Sequence, residues 1–195
     1  MAKVLYIKAN PKTNEQSLTL QMAEMFITEY KKEHPKDTIE ILDLYQSVMP
    51  IMDYERLKQY DQGTEYEIQK IAQHFKSFDK VVIAAPVWNH SFPAMLKIYL
   101  DNIIYRHTTF TYKEDGKMKG LCNDMKVMHI VTSAQIYHGE REHLNHHHNQ
   151  IKAVFELIGL TDVDCLHLLG RKHLTADDVK MSVIKKEISE KILKF

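Results

Sequence analysis

Apolar positions along the 195-residue chain fall into two alternating rhythms. Val4 to Ile7 (VLYI), Val81 to Ala85 (VVIAA) and Val127 to Val131 (VMHIV) are nearly unbroken apolar runs, the pattern of central parallel strands covered on both faces. Thr38 to Leu42 (TIEIL) and Val163 to Leu169 (VDCLHLL) alternate instead, which suits edge strands with one wetter side. Between these runs the spacing becomes helical. Leu18, Met22, Met25 and Phe26 share a face, as do Ile68, Ile71, Ala72, Phe75 and Phe78, and Leu96, Tyr99, Leu100 and Ile103. Leu144, His148, Ile151, Phe155 and Ile158 form a further stripe, and Met181, Ile184, Ile188 and Ile192 another, with Thr175 placed to cap that last helix.

Strand and helix alternate throughout, which predicts an α/β fold with right-handed crossovers: a doubly wound five-stranded parallel sheet with helices on both faces. No repeat, low-complexity tract or linker interrupts it, so residues 1–195 are expected to form a single domain. Thr109 to Leu121 (TFTYKEDGKMKGL) breaks the rhythm with a hairpin-like excursion around Asp115-Gly116. Ligands of such sheets sit beyond the carboxyl ends of the strands, at the switch point. That singles out three loops: Ala9 to Gln16, Pro86 to Phe92 and Thr132 to Gly139.

Composition narrows the partners. Hydrophobic residues make up 44% and charged residues 27% of the chain, with 26 basic and 26 acidic side chains in balance. No net field draws the chain to nucleic acid or to an anionic membrane, and neither is expected as a partner. The amino-terminal apolar run is four residues long before a lysine, too short for a signal peptide or a span. Cys122 and Cys165 have no metal-type spacing and read as free thiols of a reducing cytosol, so a cytoplasmic location is expected.

The first loop, ANPKTNEQ, lacks glycine, and neither GxGxxG nor a Walker motif occurs in the chain. Ser17 and Thr19 stand at the amino end of the next helix, where free N–H groups and the helix dipole favour an anion such as a monophosphate; alternatively Ser17 is only an N-cap. Glu15 is expected to face solvent. A helix terminus contributes at most about 2 kcal/mol to an anion, whereas micromolar binding needs about 8 kcal/mol. The remainder has to come from burying a large apolar ring. The second loop, APVWNHSFP, offers Trp88 to lie against such a ring and the backbone around Asn89 to donate to its polar edge; the alternative is that Trp88 is a core aromatic.

ANPKTNEQSLTL, then APVWNHSFP, then FTYKEDGKMKGL in that order resemble the FMN-dependent NADH-azoreductases, flavodoxin-like dimeric oxidoreductases, from Lys3 to about Gly170. The resemblance implies a flavodoxin-like sheet of strand order 2-1-3-4-5. It also implies tightly bound FMN, NADH or NADPH as co-substrate, an azo compound or quinone as acceptor in a ping-pong cycle, and a homodimer. The family's phosphate motif falls on Ser17, Leu18 and Thr19, with Asn10 contributing. Its flavin-edge tetrapeptide falls on Val87, Trp88, Asn89 and His90, after Pro86, with His90 where Phe is commonest. The third loop, Thr132, Ser133, Ala134 and Gln135 followed by Ile136 and Tyr137, departs from the family's paired glycines, which let backbone approach a ring closely. Tyr54 to Gly63 is shorter than in many relatives, and the hairpin aromatics Phe110 and Tyr112 are the candidate wall of a partner's site.

No catalytic acid, base or nucleophile is assigned in these loops. Two other classes fit the same fold. One is a one-electron carrier, although such carriers are usually strongly acidic. The other is a flavin-free regulatory or metal-binding dimer, for which Ala134, Gln135 and the histidines of HGEREHLNHHH are the support. Within that segment, which also holds His138 and His146, His143 and His147 are spaced i, i+4 as a metal pair on one helix face would be. His148 falls on the apolar stripe, the other histidines are expected at solvent or a subunit contact, and no metal site is assigned.

Overall fold

The structure, a computed structural model, describes residues 1–137, 139–168, 170 and 177–195, with side chains from Val183 onward in the last stretch. Seven strands and six α-helices alternate among the described residues: β1 (Lys3–Lys8), α1 (Leu18–Glu33), β2 (Thr38–Asp43), α2 (Tyr54–Asp61), α3 (Tyr66–Lys76), β3 (Lys80–Ala84), α4 (Ala94–Ile103), β4 (Phe110–Tyr112), β5 (Met118–Gly120), β6 (Lys126–Thr132), α5 (His146–Leu157), β7 (Val163–Leu168) and α6 (Asp177–Ile192). A short 3₁₀ helix, Gly139–Leu144, precedes α5. Five strands form one parallel sheet in the order β2-β1-β3-β6-β7. Counting the strands of that sheet alone, this is the expected 2-1-3-4-5 order of a flavodoxin-like fold.

Strand burial follows the two rhythms. β1, β3 and β6 are buried along almost their whole length, whereas β2 and β7 at the edges are only partly covered. The sheet separates two apolar cores. Leu5, Ile7, Val81, Ile83 and Val127 pack on one side with Phe75 of α3, Leu96 and Tyr99 of α4 and Ile151 and Phe155 of α5. Val4, Tyr6, Val82, Met128 and Ile130 pack on the other with Leu20 and Phe26 of α1 and Ile184 and Ile188 of α6. At ~25 cal/mol per Å² of apolar surface removed from water, these two layers supply the main driving force for the fold.

The helical faces of α3 and α4 are as the spacing predicts. At the other helices the structure adds to or changes that reading. On α1 the buried residues are Thr19, Leu20, Met22, Ala23, Phe26 and Tyr30, with Leu18 and Met25 only partly covered. α5 begins at His146, after the 3₁₀ turn, so the residue one turn before Ile151 is His147; His147 is buried and Leu144 and His148 are not fully so. α2 has no buried residue and hence no apolar stripe to announce it; Asp53 caps it by accepting from the Arg56 N–H at 2.9 Å. Thr175, His138 and Leu169 lie outside the described residues, as does the side chain of Met181.

The excursion is the antiparallel hairpin β4–β5, turning at Gly116 (φ 78°). Its returning strand lies against the end of α5: the Cys122 N–H donates to the Ile158 carbonyl at 2.9 Å, and Gly120 sits directly on the Ile158–Gly159 backbone. Phe110 is buried within its own chain and packs edge-on to Tyr112, so only Tyr112 of the two aromatics faces outward. Among the described residues, no helix is long and apolar enough to cross a membrane.

Candidate functional site

Parallel pairing brings the carboxyl ends of β1, β3 and β6 into line: Lys8 stands beside Ala84, and Ala84 beside Ile130. The chain then locks the departing loops together. The Ala9 N–H donates to the Ala84 carbonyl at 2.9 Å, and the Val87 N–H to the Thr132 carbonyl at 3.2 Å. The three loops singled out by the sequence therefore converge at one edge.

In the first loop, Ser17 is the N-cap of α1, accepting from the Leu20 N–H at 3.3 Å. Buried Asn10 donates its amide to the same Ser17 oxygen at 2.7 Å, while its own carbonyl accepts from the Lys12 N–H at 3.0 Å. With both lone pairs of Ser17 occupied, its hydroxyl hydrogen is left to donate. The first-turn N–H groups of Leu18 and Thr19 have no intrahelical acceptor and carry the positive end of the helix dipole. The N-cap reading of Ser17 is what the structure shows, and it leaves the hydroxyl hydrogen without a role in the cap. Thr19 is placed differently from the expectation. It is buried, and its hydroxyl shares a 2.7 Å hydrogen bond with that of Thr132, so it ties the first loop to the third instead of facing outward. Glu15 is exposed.

The second loop makes a tight turn in which the Trp88 and Ser91 backbones exchange hydrogen bonds, both 2.9 Å. Asn89 (φ 49°) and His90 (φ 64°) occupy its two central positions in the left-handed region. Two consecutive positive φ values are those of a type I′ turn, which Asn tolerates best among non-glycine residues. The turn holds Trp88 out: it is 43% exposed, not a core aromatic. Asn89 and His90 are exposed, with Pro86 and Val87 partly covered at the turn's base.

In the third loop, Ser133 is buried; its hydroxyl donates to the Gln135 carbonyl at 2.6 Å and lies 3.2 Å from His167 Nε2. Ala134 and Gln135 are exposed to solvent, and the Gln135 amide oxygen accepts from the Arg141 guanidinium. Tyr137 is buried beneath the loops, its hydroxyl 3.1 Å from His90 Nδ1. It supports the second loop from below.

Behind Tyr137 lies a layer that no sequence spacing signalled. The rings of His147 and Tyr137 are 5.0 Å apart, those of His147 and His167 4.8 Å, and those of His129 and His148 5.6 Å. His129 and His167 alternate along two strands and His147 and His148 are consecutive on a helix, so only the sheet register joins them. Burial pushes His147 down to about 4, helped by His148, His146 and His90, and also lowers His129 well below its ordinary value. The suggested His143–His147 pair does not form: His143 is exposed on the 3₁₀ turn while His147 points inward.

The family described by a flavodoxin-like fold matches residues 2–192. The chain is 40% identical to the FMN-dependent NADH:quinone oxidoreductase 2 of Clostridium acetobutylicum, over 83% of each chain. It is 36% identical to the FMN-dependent NADH:quinone oxidoreductase of Coprothermobacter proteolyticus, over 94% of this chain and 93% of that one. Its fold superposes with a TM-score of 0.89 on the FMN-dependent NADH-azoreductase of Bacillus anthracis solved in complex with FMN, at 29% identity over 100% of this chain and 99% of that one. Sequence, sheet order and loop placement agree, and the chain belongs to the flavodoxin-like family that includes these oxidoreductases.

Proposed function

We propose that the chain is a single-domain FMN-dependent oxidoreductase that takes reducing equivalents from NADH or NADPH and delivers them to quinones or azo compounds. The observation that carries this reading is the convergence of a capped helix amino terminus and an outward-held indole at the ends of β1 and β3. The relatives of C. acetobutylicum and C. proteolyticus, by name FMN-dependent NADH:quinone oxidoreductases, support the same chemistry.

Ser17, with the N–H groups of Leu18 and Thr19, would hold the FMN phosphate, and Asn10 orients the Ser17 hydroxyl toward it. Pro86, Val87, Trp88, Asn89 and His90 would flank the ring, the exposed Trp88 face supplying contact area and the turn's free amides donating to ring atoms. Thr132, Ser133, Ala134 and Gln135 would follow the opposite edge with backbone groups, and Tyr137 keeps His90 in position. The flavin, when bound, supplies hydride acceptance from the nicotinamide and electron donation to the acceptor. The protein's own contribution is to bind, to orient and to leave one face open for the two substrates in turn. Without a dinucleotide fingerprint the nicotinamide has no second site, which supports alternation at the same face.

Two further features complete the reading. The chain works as a homodimer, with the outward Tyr112 of the hairpin, under which Arg106 stacks at 5.3 Å, as a candidate contact. It works in the cytoplasm, in keeping with two free thiols. The test is to purify the protein, release its chromophore by denaturation and identify it chromatographically, then follow NADH-dependent reduction of a quinone and an azo dye. Bound FMN with turnover is the expected result. A colourless protein that fails to take up added FMN overturns it.

A further inference from the structure

On the face of the sheet covered by α5, His129 of β6 and Cys165 of β7 are directly paired in register. They therefore point to the same side, and His148 from the first turn of α5 comes down onto them. His129, His148 and Cys165 each offer one ligand atom, and those atoms lie within 4.8 Å of one another. The two imidazoles meet Nδ1 to Nδ1 at 3.3 Å. Nitrogens each about 2.05 Å from a tetrahedral ion stand about 3.3 Å apart, so the bite of the pair already matches a metal.

We infer that His129, His148 and Cys165 form a binding site for a borderline-soft divalent transition-metal ion, with zinc as the reference ion, that clamps the start of α5 to the edge of the sheet.

Three features support the assignment. Two nitrogens and one sulfur are the donor set that zinc-class ions prefer over calcium or magnesium. His129 is fully buried and its Nδ1 faces the Nδ1 of His148, so two ring nitrogens stand together inside the protein where one ion would ligate both. The donors come from three separate elements, β6, β7 and α5, so a single ion would tie them together. Ligation forms the metal–sulfur bond as the S–H bond breaks, and the proton passes to solvent. A fourth position is left for water. α5 has reason to need the clamp, since Asn145 at its N-cap makes no side-chain capping bond. The site is separate from the flavin loops, and the inference does not depend on the proposed chemistry.

The test uses tag-free protein loaded with FMN and stripped with a chelator, then titrated with Co²⁺ as a spectroscopic probe and with Zn²⁺ against a chromogenic chelator. The expected result is one tightly bound ion per chain, a thiolate-to-cobalt charge-transfer band in the difference spectrum, and a raised Tm with zinc. Cys165→Ser abolishes the band, and His148→Gln weakens zinc binding at least tenfold. His143→Gln/His146→Gln, which removes exposed histidines, changes neither. Because the band in the unmutated protein itself reports sulfur ligation, the test stands even where a variant folds poorly. Absence of binding, or binding without the band, overturns the inference, as does binding that the exposed-histidine variant removes.

Discussion

Ser17 accepts two hydrogen bonds, from Asn10 and from the Leu20 N–H, and both depend on one oxygen. Ser17→Ala removes the cap, worth about 1 kcal/mol to α1, and the proposed charge-assisted donor to phosphate, worth about 1.5–3 kcal/mol. FMN affinity should fall about 10- to 100-fold, read by flavin fluorescence titration, with turnover of the flavin-saturated enzyme little changed. Trp88→Ala tests the other half of the site. The indole is 43% exposed and buries little in the free protein, so the variant should keep its Tm while losing flavin affinity. Equal loss of Tm and affinity would make Trp88 a folding residue. Both positions are proposed from local chemistry: a hydroxyl before a helical stripe, and a tryptophan just beyond a buried strand. The sequence did not reveal that Thr19 turns inward to Thr132, because that bond joins residues 113 positions apart. Nothing in the spacing of either loop encodes it.

Gly120 is where one element meets another without side chains between. A Cβ there would collide with the backbone of Ile158 and Gly159, which cannot move aside as a flexible side chain could. Gly120→Ala should therefore destabilise the protein by about 1–3 kcal/mol, measured as a lower urea midpoint at unchanged m. Gly63→Ala, at a positive φ but in open space, separates the effects by showing backbone strain without collision. Elements with a buried stripe, such as α3 and α4, could be read directly, because periodicity records what faces the core. α2 could not, since it buries nothing, although its capping aspartate was a usable signal. α5 was misphased at its start for a related reason: in a run of three histidines hydropathy does not say which one enters the core, so His148 was read with Leu144 in place of His147. The layer of histidines is the same failure on a larger scale, polar residues filling an interior position that only the sheet register creates.

Which strands are central was legible at the scale of the molecule, because unbroken apolar runs mark central strands and alternating ones mark edges, while the strand order came from the family resemblance. How the chain's beginning is fastened was not legible. Asp37, in the turn before β2, accepts from the Ala2 N–H at 2.7 Å and from the Tyr30 hydroxyl at 2.7 Å, and the Lys31 ammonium donates to its carbonyl at 2.9 Å. One carboxylate thus joins the start of the central strand β1 to α1 and β2. The Tyr30 hydroxyl, then the Ala2 N–H, hold this carboxyl below its ordinary value, against the opposing effect of desolvation. A folded-state value below the unfolded one means that the unfolded chain takes up the proton first as pH falls. The stabilisation is therefore complete above about pH 4 and disappears as pH drops through the lower, folded value. Asp37→Asn keeps the shape but not the charge, and at pH 7 it should cost about 1–2 kcal/mol. In urea titrations at descending pH, the gap between the two proteins should stay constant down to about pH 4 and then close. A gap that persists at the acid end would assign the loss to amide geometry, and the carboxylate would no longer account for how the first strand is held.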